Sequence, residues 1–467
     1  MQRIEFGSDG IRGKAGIWPF ISPVAYEIGQ ALGQYVSRRS EHPVVVMGRD
    51  TRPSGLNLSV CIASGLMSQG ADTINLGVMT TPGVAFLTRR QKADLGVIIS
   101  ASHSPLEMNG IKIFRESGLR LQREEEVEIE LLLEEAITRA TTNPIICSST
   151  PGKDIEAEHL IAFYIQDHVR RCPVESLHDL RIVLDCADGA ASVIAPEVFL
   201  HLGANPIAVN KAVDGKGINY QCGSEYAILN PMYLAGIARD HGANYGFAFD
   251  GDGDRLIVVD NEGNSFDGHD LLYILAKYFK TRGLLRKNTV VTNYRANRGL
   301  EKALKAIGIR TAYTSNGDRH LEAAMWGKNY MLGGEPGGNI IVNDGSHTAA
   351  DGIYTALLLA GILKCSPEAR LMEMVNPLRE SLWKYPQITK SFKPSIMLTA
   401  EQIIEIQREI SRKQKELGGE RQVYFWSAST EPRVYRIMVQ GSYPQTQQDV
   451  KYIVDELSEY VRMISSQ

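Results

Sequence analysis

Three times along the chain an apolar, β-branched run leads through a polar loop into a helical stretch, a glycine and a second apolar run. VVVMGRD opens at Val44 and leads to Gly70, RIVLDCADG opens at Arg181 and leads to Gly203, and TVVTNY opens at Thr289 and leads to Gly308. Each glycine stands where a helix ends in the left-handed conformation. Short strands alternating with helices predict α/β domains with partly parallel, mixed sheets. A chain of 467 residues also exceeds what a single hydrophobic core usually organises. Three similar α/β domains are therefore expected, over residues 1–145, 154–254 and 255–370. Residues 141–153, TTNPIICSSTPGK, have little helical periodicity and read as a linker. Beyond residue 375 the plan changes to a helix from about Ala400 to Leu417, QVYFWS, alternating RVYRIMVQ, and a helix carrying Val450, Ile453, Val454, Leu457, Val461 and Ile464. This predicts a smaller α+β fourth domain over 376–467.

A net charge of −4 gives no broad attraction to nucleic acid or to an anionic membrane, so an anionic ligand must be held by locally placed cations, amides or metal. Cys61, Cys147, Cys172, Cys186, Cys222 and Cys365 form no CxxC pair, which fits reduced thiols better than a disulfide framework or a zinc site. The first residues, MQRIEFGSDG, lack a signal-peptide core, and the apolar run Ile353 to Leu363 is too short to span a bilayer, so a cytoplasmic location is expected. No GxGxxG follows the first strand and no Walker A sequence occurs, which sets aside dinucleotide and nucleoside triphosphate binding.

The most specific loop is FAFDGDGDRLIVVD. Asp250, Asp252 and Asp254 alternate with Gly251 and Gly253, whose backbone freedom lets the carboxylates turn toward one point. Three hard oxygen ligands suit Mg²⁺. An EF-hand is excluded, because Arg255 fills the sixth position and Asn261 the twelfth. An acidic turn without an ion is the other reading, although three carboxylates so close together need a counter-charge.

In LGVIISASHSPLEMNGIKIF a strand ends at Ser100 and delivers Ser102 and His103 into a turn closed by Pro105. Ser102 reads either as a nucleophile or as a turn residue. A phosphoserine would need neutralising cations, for which Arg12 in EFGSDGIRGKAG, Lys112 and a metal on the Asp loop are candidates.

FGSDGIRG, ASHSP with NGIKIF, DGDGDR, GGEPGGNII and STEP occur in the order found in the α-D-phosphohexomutase superfamily, which the chain resembles over nearly its whole length. The opening motif and GGE are most similar to the bacterial phosphoglucosamine mutase branch, with phosphomannomutase/phosphoglucomutase as near neighbours. The resemblance implies four domains around a central cleft, each lending one loop. It implies a phosphoserine at Ser102, Mg²⁺ held by Ser102, Asp250, Asp252 and Asp254, and assistance from Arg12, His103, Lys112 and Arg255. The implied reaction moves phosphate between O6 and O1 of a hexose through a bound 1,6-bisphosphate, which also serves as activator. A small-molecule sugar phosphate is the expected partner, and the assembly a monomer or homodimer.

Two loops depart from the family pattern. In MLGGEPGGNIIV, Glu335 is the expected acceptor of sugar hydroxyls, but Gly337 and Asn339 stand where Glu-x-Ser-Gly-His has Ser and His. His347 is a candidate for the missing imidazole. In FWSASTEPRVYR, Trp426 stands where the phosphate-gripping loop has Arg, leaving Ser427, Ser429, Thr430, Arg433 and Arg436 as candidate phosphate ligands. Alternation in RVYRIMV also permits these arginines to face solvent. Ser104 replaces a common Asn. Transfer is thus expected to survive with altered recognition, the alternatives being a phosphatase or a protein that binds sugar phosphates with weak or no catalysis.

Overall fold

A computed structural model describes residues 3–7, 9–140, 148–345, 347–366, 370–395, 397–418, 421–427, 434–442 and 447–465. The threefold plan appears as three mixed sheets. The first contains β1 (Ile11–Lys14), β2 (Val44–Arg49), β3 (Asp72–Val78), β4 (Leu95–Ile99), β5 (Met108–Arg115) and β6 (Asp154–Glu156), in the order β1-β5-β4-β2-β3-β6. The second contains β7 (Arg181–Asp185), β8 (Asn205–Val209), β9 (Tyr245–Phe249), β10 (Leu256–Asp260) and β11 (Ser265–Phe266), in the order β11-β10-β9-β7-β8. The third contains β12 (Thr289–Asn293), β13 (Arg310–Thr314), β14 (Leu332–Gly334) and β15 (Ile340–Val342), in the order β13-β12-β14-β15.

One unit recurs in all three. Its opening strand, β2, β7 or β12, lies between two parallel neighbours, and an antiparallel strand then follows the second neighbour. The helices after the opening strands, Pro53–Ser68, Ala195–His201 and Arg298–Ala306, close as expected. Gly70, Gly203 and Gly308 all have positive φ, near 70–90°. Their N–H groups donate to Met67, Leu200 and Lys305, and the next residues donate to Leu66, Phe199 and Leu304. This paired closure satisfies the last carbonyls of each helix.

Sheet membership differs from the expected boundaries in two places. Asp154–Glu156 pairs in parallel with β3, so the first sheet continues past the linker. The division at 254/255 falls inside the β9–β10 turn, and the second sheet runs on to Phe266. Three-residue strands and hairpin partners leave little periodicity to read.

Ile353 to Leu363 lies in the helix Gly352–Cys365, whose residues from Gly352 to Leu363 are all buried, as an evenly apolar helix requires. Among the described residues no helix is long and apolar enough to cross a membrane. Cys61, Cys172, Cys186, Cys222 and Cys365 are free thiols, and Cys147 lies outside the described residues. The final sheet has β16 (Gln387–Phe392), β17 (Gln422–Ser427) and β18 (Tyr435–Gln440) in the order β16-β18-β17, packed under Ala400–Leu417 and Gln447–Ser465.

One apolar core runs through all three α/β units, joining Val46, Phe86, Phe247, Leu271, Val290 and Leu357. The last sheet has a core of its own, with Ile406, Ile437, Val439 and Val454 at its centre. This separate core agrees with the smaller α+β unit expected from the sequence.

Candidate active site

The turns that follow β4, β9 and β14 are topologically equivalent, each entering the antiparallel strand of its sheet. They are the Ser102, Asp250–Asp254 and Glu335–Asn339 loops. β17 and β18, which pair antiparallel, bring Trp426, Ser427 and Arg436 to the same place. A repeated fold thereby delivers loops of different chemistry to a cavity of about 380 Å³, lined by Ser102, Asp254, Arg255, Glu335, Trp426 and Arg436 among others.

Ser102 has φ +54°, a left-handed conformation that costs roughly 1–2 kcal/mol for a residue with a Cβ. Backbone contacts hold it there. Its N–H donates to Ser100 Oγ at 2.9 Å, while its carbonyl accepts from Arg52 at 3.0 Å and Asn219 at 2.9 Å. Arg52 also donates to the carbonyls of Ser104, Pro105 and Met108, and its Nε pairs with buried Asp50. The hydroxyl remains free to point at chemistry: Oγ donates to Asp250 Oδ2 at 2.6 Å and lies 3.2 Å from His103 Nδ1. Burial and the Arg255 and Arg12 guanidinium groups hold His103 well below its ordinary pKa, so the imidazole is neutral.

Asp250, Asp252 and Asp254 converge, with ligand oxygens within 4.8 Å of one another. Lys112 Nζ supplies the expected counter-charge, 3.0 Å from Asp252 Oδ2 and 3.1 Å from Asp254 Oδ2. Thr81 donates its hydroxyl to Asp252 Oδ2, while Asp252 Oδ1 is buried without a partner among the described residues. Burial and mutual repulsion push Asp250 well above the carboxylate range and Asp254 up to about 7. Burial opposes ionisation of Asp252 as well, but Lys112 and Thr81 hold it below the ordinary value. Mutually repelling buried carboxyls whose ionisation is opposed, and an orphaned carboxylate oxygen around one point, are what a hard divalent cation would relieve, so these residues fit one.

Arg12 donates to Ala101 O and Ser104 Oγ, at 3.1 and 3.3 Å, and pairs with Asp9. Arg255 Nε lies 3.9 Å from Asp250 and 4.0 Å from Asp254. Arg12, His103, Lys112 and Arg255 are thus gathered around the serine and the acidic loop.

The recognition side departs from expectation in one way, at His347. Asn339 lines the cavity and donates Nδ2 to Asp254 Oδ1 at 3.0 Å. His347 is buried between Phe86 and Tyr354 and does not line the cavity, because its loop packs back toward the core. Arg436 lines the cavity rather than facing solvent, paired in register with Trp426. Glu335 accepts from Gly317 N at 3.3 Å and lies 3.7 Å from Arg295, whose guanidinium stands 6.0 Å from the Trp426 ring centroid. Arg295 therefore adds a guanidinium to the cavity wall beside Trp426. At Gly337 an added Cβ would meet Arg255 only at ordinary contact distance, 3.6 Å. Ser427 lines the cavity and is exposed, whereas Ser429, Thr430 and Arg433 lie outside the described residues.

Sequence reasoning missed Asp9, Arg52, Thr81, Asn219, Glu225, Arg295 and Asp318. RDTRPSG after β2 and TTPG after β3 were the available signals for Arg52 and Thr81. Asp9 bridges Lys112, Arg12 and Arg120; burial opposes its charge, but these cations hold it well below the ordinary range.

Comparison with known proteins bears on this arrangement. The α/β/α domains I, II and III of phosphoglucomutase/phosphomannomutase match residues 3–140, 162–263 and 267–381. A phosphoglucosamine mutase of Geobacillus kaustophilus is 37% identical over 458 residues, 98% of both chains. One from Limosilactobacillus reuteri is 38% identical over 444 residues, 94% of both. A phosphoglucomutase/phosphomannomutase family structure from Burkholderia thailandensis superposes with TM-score 0.78 at 21% identity, covering 98% of this chain and 97% of that one. The chain belongs to the phosphoglucomutase/phosphomannomutase family and is a phosphohexomutase, an intramolecular phosphotransferase.

Proposed function

We propose that the chain interconverts glucosamine 6-phosphate and glucosamine 1-phosphate, with Ser102 as the phosphoryl carrier. The observation that carries this reading is the Ser102 hydroxyl, 2.6 Å from Asp250 in a cavity walled by Arg12, Arg255, Arg295 and Arg436. The near full-length phosphoglucosamine mutase relatives support the sugar.

In the proposed cycle the P–O bond to Ser102 Oγ breaks as a bond forms to the free hydroxyl of the bound monophosphate, whose proton ends on Ser102 Oγ. The resulting 1,6-bisphosphate turns around and returns its other phosphate to Ser102, which also explains a role for hexose 1,6-bisphosphate as activator. Such a transfer depends on positioning and charge neutralisation. Asp250, Asp252, Asp254 and an oxygen on Ser102 would hold Mg²⁺, which supplies charge neutralisation at the transferring phosphate. Arg12 and Lys112 steady the serine side, and Arg255 faces it from the acidic loop. Neutral His103 can accept or hold a proton at Nδ1. Glu335 accepts from a sugar hydroxyl, and Ser427 and Arg436 receive the parked phosphate, together with Ser429, Thr430 and Arg433 from the same loop.

The test is steady-state interconversion of the 6- and 1-phosphates of glucosamine, glucose and mannose, with Mg²⁺ and the matching bisphosphate, beside Ser102→Ala. The highest kcat/KM is expected for glucosamine phosphate, with turnover abolished in the variant. Preference for mannose or glucose phosphate would reassign the sugar. Release of inorganic phosphate without isomerisation, or binding without turnover, would overturn the proposed cycle.

A further inference from the structure

A second cluster lies apart from the cavity, at the junction of the helix Ile161–Arg171, the segment before the helix Gly352–Cys365, and Phe86 of the first unit. His168, His347 and Asp351 are all buried, and their candidate ligand atoms lie within 4.8 Å of one another. The chemistry assigned to Ser102 and the acidic loop uses none of them.

The hydrogen bonding of the two imidazoles makes the cluster unusual. His168 Nδ1 is 2.9 Å from the carbonyl of Tyr164, which can only accept, so this nitrogen carries a proton. His347 Nδ1 faces Asp344 Oδ2 at 3.4 Å, and that carboxylate is fixed by Tyr354 OH at 2.9 Å and Arg171 at 2.7 Å. Both Nε2 atoms are buried and, among the described residues, meet the geometry of no hydrogen bond. Both are turned toward one carboxylate oxygen, Asp351 Oδ2, at 3.2 Å from His168 and 3.9 Å from His347. That oxygen accepts from Tyr164 OH at 2.6 Å, while the carboxylate's other oxygen caps the helix through Tyr354 N at 2.8 Å.

With each Nδ1 committed to an oxygen, each Nε2 is left to face the Asp351 carboxylate. A cation between them would take both nitrogens and that oxygen as ligands. Tetrahedral zinc with bonds of about 2.0–2.1 Å sets its ligand atoms roughly 3.3 Å apart, close to the His168–Asp351 spacing. An Nδ1–H held by a carbonyl or carboxylate, with Nε2 toward the metal, is also the usual support for a ligating histidine. Asp167 Oδ2, 3.7 Å from His347 Nε2 and held by Arg171, is a further oxygen beside the fourth position.

We propose that His168 Nε2, His347 Nε2 and Asp351 Oδ2 form a structural site for a borderline divalent transition metal of the Zn²⁺ class, distinct from the Asp250–Asp254 site. The ion ties the second unit to the third, one residue from Gly352, whose N–H donates to the carbonyl of Gly253 in the acidic loop at 3.0 Å. It thereby braces the loop from behind.

Cobalt(II) distinguishes this site from the all-oxygen triad, because four-coordinate nitrogen and oxygen ligation gives intense visible bands. The full chain carrying Asp250→Asn and Asp252→Asn is stripped with a chelator and titrated with Co²⁺ alone. One equivalent is expected to produce these bands, and they are expected to disappear when His168→Gln and His347→Gln are added to the same background. Zn²⁺ is expected to raise Tm in the background protein and to leave the histidine variant unchanged. Absence of the bands, or their persistence without the histidines, would overturn the site and leave a protonated histidine–carboxylate network. Should the histidine variant fail to fold, X-ray absorption on the Co²⁺-loaded background protein decides the matter: two imidazoles at the metal uphold the proposal and none sinks it.

Discussion

Arg52 is completely buried, and its five side-chain hydrogen bonds fasten Asp50 to four carbonyls in and after the serine turn. Removing it strands a buried carboxylate, and breaking such a pair costs about 3–5 kcal/mol. Arg52→Ala is expected to lose stability of this order in urea unfolding. Arg52→Lys keeps the charge but lacks the planar fork. It is expected to lower kcat at nearly constant KM, as a residue that positions the serine without touching substrate should. The sequence disclosed Ser102, because a strand ending in SASHSP announces a reactive turn. It did not disclose Arg52, which acts on residues fifty or more positions downstream. His347 misled for the converse reason: a histidine in a polar stretch carries no local mark of being folded inward. The bond from Asn339 to Asp254 was equally hidden, since only the fold brings the two together.

At the scale of elements, strand openings and terminal glycines were readable because both have local causes: β-branched runs on one hand, positive φ on the other. The antiparallel partner in each sheet was not, because strand order depends on contacts that periodicity does not encode. Two glycines show the difference experimentally. At Gly308 an added Cβ meets only the end of the Lys280 side chain, so Gly308→Ala chiefly forces alanine into the left-handed region. A loss of roughly 1–2 kcal/mol is expected by chemical denaturation, with little change in kcat. At Gly352 the added Cβ would lie 2.2 Å from Arg255 O and 3.1 Å from Gly253 O, both backbone atoms of the acidic loop. Gly352→Ala must displace that loop, so activity is expected to fall by at least tenfold even where the variant remains folded; a 1 Å misplacement can cost about a hundredfold.

Across the whole molecule, the first three units share a core, whereas the fourth meets the third through polar and aromatic contacts such as Arg298 N to Gln440 Oε1 at 3.1 Å and Tyr294 beside Tyr424. Another contact between units involves Glu322, which accepts from Arg120 N at 3.0 Å while 3% exposed. Burial raises its pKa from 4.5 to about 7; Arg120 and Arg115 oppose the rise, and Asp9 adds to it. The folded chain therefore retains a proton that the unfolded chain releases, so this group's contribution falls as pH rises from about 4.5 to about 7. Glu322→Gln keeps an acceptor for Arg120 and abolishes the titration. Its Tm advantage over the parent is expected to grow between pH values of about 5 and 8 in parallel thermal melts. The three-domain plan was legible from repetition, but this contact was not, because it joins residues 202 positions apart.

The grip on the serine turn falls on carbonyl oxygens and spares the hydroxyl. In the proposed cycle that hydroxyl acquires and surrenders close to two negative charges as phosphate comes and goes. A mount fastened by its backbone keeps its shape whether loaded or empty, much as a capacitor keeps its plates while the field between them changes. Successive phosphoryl transfers then begin from the same geometry, and the cavity need not be rebuilt between half-reactions.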